Sequence, residues 1–179
     1  FVSDALLTAS LYFAIYLDRV FQISDIQKYL ALALLEITVI LSAYIAGKMA
    51  DKYGNKKILL LSCIILTLVY GLISATSSLI FIYILSALVG LGYGGFYTVS
   101  RAMLINISPP SKLGEYFGFY STFQKFASII GPLTWGVITL SLKNYGVTSY
   151  RIGIFALSIL MFIGTLLLIK VKEKRAEVT

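Results

Sequence analysis

The sequence predicts an all-α membrane protein, a single bundle of six transmembrane helices, and three observations carry that prediction. The chain is 59% hydrophobic, with a mean hydropathy of +0.90 and only 13% charged residues. A soluble domain carries about a quarter. Apolar stretches recur along its length, each near the roughly 20 residues that a helix needs to cross a hydrocarbon core. Most lysines and arginines fall in the breaks between those stretches.

Spans are expected at about 1–17, 28–47, 57–75, 78–104, 115–141 and 149–170, with a polar tail at 171–179. Residues 1–179 then form one domain, with no room for a soluble one. The first span, "FVSDALLTASLYFAIYL", is short and lacks the basic leader of a signal peptide, so the chain is expected to continue upstream of Phe1. The second and third flank the polar knot "GKMADKYGNKK", Gly47–Lys57, which is expected to be a short turn.

The fourth span contains "GLGYGG", Gly90–Gly95. It satisfies the G-x-G-x-x-G spacing, but a dinucleotide site needs a strand before it. Gly90 and Gly94 also make a G-x-x-x-G, which lets helices pack closely in lipid, and that is the reading adopted. The fifth span contains "IIGPLTWG", where Gly131 and Pro132 are expected to form a kink or gating hinge. Proline is tolerated there when neighbours satisfy the carbonyl it frees.

The break after the second span holds Lys48, Lys52, Lys56 and Lys57. The break after the fourth holds Arg101 and Lys112, and the tail region holds Lys170, Lys172, Lys174 and Arg175. The opposite breaks hold only Arg19, Lys28, Lys143 and Arg151. The richer side is expected to be cytoplasmic, with both ends of the segment there. The net charge of +7 therefore reads as topology. A nucleic-acid binder would gather its basic residues on one accessible face, so no nucleic-acid partner is expected.

Enzyme chemistry finds no support. There is no histidine, Cys63 is the lone cysteine, and no carboxylates cluster for metal or acid–base work. No cofactor or metal is expected. Charges inside spans are costly and mark function. Asp4, Glu36 and Lys125 are therefore candidates for a substrate or proton site, with Glu36 and Lys125 deep enough to face a central cavity. An inter-helix ion pair without a transport role is the competing reading. Tyr97, Tyr120 and Gln124, near the glycines and Lys125, are further candidates for the cavity wall; Tyr93 and Trp135 lie in the same spans.

The spacing G-x-x-x-D-x-x-G-x-[KR]-[KR] over Gly47, Asp51, Gly54, Lys56 and Lys57 resembles the signature loop of the major facilitator superfamily. The stretch "GLGYGGFYTVSRAMLINISPPSKLGEYFGFYSTFQKFASIIGPLTWG" resembles helices four and five of a facilitator half. With "SDALLTA", it is similar to the C-terminal half of the branch holding the autophagy-related vacuolar amino-acid effluxers and their bacterial relatives. The resemblance implies a latch in which Asp51 engages Arg101 and a helix end from the other half.

It also implies secondary transport by alternating access of a small polar solute, an amino acid by the branch, with proton coupling as an option. The implied partners are the lipid bilayer, the solute and a second six-helix bundle, either an N-terminal half or another copy. The membrane would be the plasma membrane in a bacterium and otherwise a vacuolar one. The alternatives are that this is the N-terminal half, a half-size facilitator acting as a dimer, or a non-transporting scaffold or binding bundle.

Overall fold

The computed structural model describes residues 1–171, apart from the side chains of Phe126 and Ala127. The basic residues Lys172, Lys174 and Arg175 of the expected tail lie outside the described residues. Among the described residues seven α-helices follow one another: α1 (Val2–Phe21), α2 (Asp25–Tyr53), α3 (Asn55–Ala75), α4 (Leu79–Ile107), α5 (Leu113–Ala127), α6 (Ile130–Ser141) and α7 (Val147–Lys170). Among the described residues there is no strand.

By length and composition, α2, α3, α4 and α7 each suffice to cross a membrane. Helix α1 has 20 residues, but Asp4, Asp18 and Arg19 dilute its apolar content. Helices α5 and α6, at 15 and 12 residues, are about 22 and 18 Å long at 1.5 Å per residue. Neither spans a core of about 30 Å alone, and together they make one crossing. The result is a six-crossing bundle built from seven helices.

The fifth crossing, expected as one span over 115–141 with a kink or hinge at Gly131 and Pro132, is divided into two helices, α5 and α6. The cause is Pro132, whose ring collides with the carbonyl four residues earlier and which has no N–H to offer it. That carbonyl belongs to Ser128, and Ser128 and Ile129 are where the helix breaks. The polar knot differs as well. Gly47–Tyr53 stay helical in α2, Asn55–Lys57 already belong to α3, and Gly54 alone separates them. Gly54 has φ 97° and ψ 143°, a conformation open to glycine and strained for other residues. Lys, Met and Ala are strong helix formers, so α2 continues past the apolar stretch until Gly54 stops it.

Helix α4 packs against α2 and α3, while α7 packs against α3, α1 and α6. The α2–α4 seam is the closest approach. A Cβ on Gly90 would run into Thr38 and the Leu35 carbonyl, and one on Gly94 into Ser42 and the Val39 carbonyl. Ser42 Oγ crosses the seam to the Gly90 carbonyl at 3.0 Å. Phe13, Tyr16, Leu66, Tyr70, Ile154 and Met161 fill the core.

The ends are tied by polar contacts. Ser24 and Gln27 form a capping box that starts α2, and Lys28 bridges Asp18 at 3.0 Å and Asp25 at 2.8 Å. Arg151 donates to the Ser74 carbonyl at 3.2 Å and to Ser77 Oγ at 2.9 Å, fixing α7 to the α3–α4 turn. At the opposite end, Lys56 Nζ donates to the Ile169 carbonyl at 2.9 Å.

Candidate functional site

Two polar arrangements lie where α1 meets the fifth crossing. The first is a hydroxyl–amide cluster. Gln124 of α5 donates from Nε2 to Tyr120 OH at 3.0 Å and to Ser3 Oγ of α1 at 3.2 Å. Ser100 of α4 meets Tyr120 OH at 3.4 Å. Gln124 and Tyr120 are one turn apart on α5 and share a face, so both reach the same partners. Tyr97, one turn before Ser100, buries its hydroxyl without a well-formed hydrogen bond. That hydroxyl lies near Ser3 and Tyr93, and the Tyr93 and Tyr97 rings are 4.9 Å apart.

Ser3, Ser100, Tyr120 and Gln124 line a cavity of about 400 Å³ between α1, α3, α4, α5 and α7. The rest of its wall is largely apolar, with Phe96 and Met103 prominent. A few polar groups converging on an apolar hollow are what a small-molecule site requires: the apolar wall excludes water and the polar groups set orientation.

The second arrangement is centred on Asp4. Its carboxylate is 2% exposed, and Oδ2 accepts the Gly131 amide at 2.7 Å. The break at Ser128–Ile129 leaves the first amides of α6 without helical acceptors, and Asp4 supplies one from another helix. A negative group there is also favoured by the α6 dipole. Asp4 Oδ1 is buried and has no partner. Thr8, one turn on, is buried against the same glycine. Another turn further, Tyr12 stacks on Trp135 of α6, with ring centroids 5.2 Å apart and planes 7° from parallel. Pro132 is the third residue of α6 and half-buried.

The remaining sequence candidates lie apart from both arrangements. Glu36 on α2 and Lys125 in the last turn of α5 are exposed, and the described residues contain no ion pair between them. Asp51, Lys57 and Arg101 are exposed, and Asp51 forms no ion pair with Arg101 in this conformation. Lys56 is held at the end of α7. Gly47 lies inside α2 against Thr98.

Sequence reasoning missed Ser3, Ser100 and Thr8. No signal marked them, because most hydroxyls in these helices bond their own helix carbonyl, as Ser62, Thr67 and Ser86 do. The same residue types serve both purposes, and only position separates them.

The fold and the cavity define an integral, multi-pass membrane bundle with an open, polar-dotted hollow near one end of its helices. The family model of the Major Facilitator Superfamily matches residues 1–179, and the chain belongs to that superfamily. It is 32% identical over 146 residues to the uncharacterized MFS-type transporter YxiO of Bacillus subtilis (strain 168), covering 80% of this chain and 33% of that protein. It is 27% identical over 127 residues to multidrug resistance protein 3 of the same organism, covering 71% and 25%. It is 30% identical over 159 residues to hexose transporter HXT10 of Saccharomyces cerevisiae (strain ATCC 204508 / S288c), covering 82% and 27%. The chain spans about a third or less of the length of these relatives.

Proposed function

We propose that this bundle is one half of a secondary transporter that moves a small organic solute by alternating access, with the solute contacting the cluster of Ser3, Ser100, Tyr120 and Gln124. The observation that carries the reading is the convergence of these four polar side chains from three helices on one apolar cavity. The other half of the cavity wall comes from a second six-helix bundle. We assign the C-terminal half, the end bearing Gly54 to the cytoplasm, and proton coupling to the membrane-embedded carboxylates Asp4 and Glu36. Asp51 and Arg101 pair in the opposite state of the cycle. The branch resemblance makes an amino acid the first solute to try.

The apolar wall favours a second reading, an amphipathic solute larger than an amino acid. Two relatives carry names in that direction, multidrug resistance protein 3 and the multi-drug resistance efflux pump PmrA of Streptococcus pneumoniae. The test is uptake and solute exchange by the complete two-bundle transporter in proteoliposomes, with amino acids, hexoses and cationic dyes as solutes. Gln124→Ala and Tyr120→Phe raise KM for the accepted solute. Unaltered KM in both variants removes the cluster from the solute's path, and failure to move any of the three classes removes the transport reading.

A further inference from the structure

Asp4 is the one carboxylate among the described residues buried to this degree, and it uses one oxygen to hold the start of a half-helix. We propose that Asp4 is a proton-operated latch: the ionised carboxylate pins the first turn of α6 to α1, and a proton taken up at Oδ1 releases it, letting the fifth crossing bend at Ser128–Ile129. The proposal rests on the transport reading only for its purpose; the latch itself is a property of the α1–α6 seam.

Three observations point the same way. The Gly131 amide, in the first turn of α6, donates to Oδ2. Oδ1 is buried, unpartnered and beside the same glycine, where an added Cβ would approach it to 2.9 Å. The break that leaves the amide free is enforced by Pro132, so a hinge already lies next to the contact. Protonation converts a charge-assisted hydrogen bond into a neutral one of roughly half the strength. It also removes the negative charge that faces the α6 dipole.

A proton fits the site better than a metal ion. Among the described residues no three metal-binding side chains cluster, and Thr8, Asp4 and Gly131 are packed too closely to admit a coordination shell. An anionic solute would meet the carboxylate's own charge. No side-chain counter-ion competes at the site. Helix α6 has no charged residue, α7 carries Arg151 and Lys170 near its two ends, and α5 carries Glu115 and the exposed Lys125. On α2, Lys28 is engaged with Asp18 and Asp25, and Glu36 is exposed. Tyr93, Tyr97 and the exposed Arg101 lie on α4, Tyr120 on α5 and Tyr12 on α1 against Trp135.

The test measures the α1–α6 separation in the complete transporter by spin labels at Leu11→Cys and Leu133→Cys, both on exposed positions, in a Cys63→Ala background. The expected result is a longer α1–α6 distance on going from alkaline to acidic pH, with Asp4→Asn holding the acidic distance at every pH. A wild-type distance that ignores pH overturns the latch without any variant having to fold. An Asp4→Asn protein that keeps the wild-type pH dependence overturns it as well. Solute exchange is followed in the same samples. Exchange without a pH-dependent distance keeps the transport reading and sinks the latch, whereas a pH-dependent distance without exchange keeps the latch and sinks the transport reading.

Discussion

The seam between α2 and α4 and the seam between α1 and the fifth crossing are built on opposite principles. In the first, Gly90 and Gly94 bring two unbroken helices so close that backbone meets side chain, and Ser42 closes the one polar contact. Such an interface has little room to slide. In the second, one helix is broken, a carboxylate from another replaces a helix hydrogen bond, and the hydroxyl of Tyr97 and Oδ1 of Asp4 are buried without partners. Unsatisfied buried groups cost free energy, and a conformation carrying them is poised to leave it. The molecule joins a stiff pair of helices to a compliant one.

The comparison breaks first if the stiff seam tolerates bulk. Gly94→Leu forces a branched side chain onto the Val39 carbonyl and is expected to cost about 3 kcal/mol, read as a collapse of the thermal midpoint in detergent. Gly131→Ala strikes the compliant seam, where its methyl meets Thr8 and Asp4. Its expected cost is about 2 kcal/mol, and combining it with Thr8→Ala recovers part of that loss in a double-mutant cycle. Gly54→Ala lies in neither seam and costs about 1.5 kcal/mol through its positive φ, by the same thermal measurement.

Smaller effects sharpen the contrast. Gln124→Ala removes one hydrogen bond that joins α5 to α1 and one within α5 and is expected to cost about 1 kcal/mol, with a raised KM for the transported solute. Asp51→Asn changes thermal stability by less than about 0.5 kcal/mol, because Asp51 is exposed and has no ion pair with Arg101 here. In the complete transporter the same substitution shifts the balance between inward- and outward-facing states, read by cysteine accessibility from the two sides of the membrane. A large stability loss for Asp51→Asn would mean the latch is already closed within this bundle.

Hydropathy and the spacing of charges make the fold class legible, since each crossing must satisfy its own backbone in lipid. Pro132 also announces the break in the fifth crossing, because its effect is local. The corner at Gly54 is less legible. The polar residues of "GKMADKYGNKK" look like a loop, yet a helix leaving the hydrocarbon keeps its hydrogen bonds in water and needs no loop. The site is the least legible part. Asp4 and Gly131 are 127 positions apart, and no local pattern says that one will cap the other. Gln124, Tyr120 and Ser3 meet for the same non-local reason, while Glu36 and Lys125, singled out by charge alone, stay exposed and apart.

The stacking of Tyr12 on Trp135 has a practical corollary. Trp135 is the one tryptophan of the chain, one turn beyond Gly131 on the face that meets α1. Its indole emission is therefore an intrinsic optical gauge of that contact: separation of the two rings alters quenching and solvent relaxation, and the spectrum shifts. The bundle carries its own reporter at the joint where movement is expected, and it needs no dye to be read.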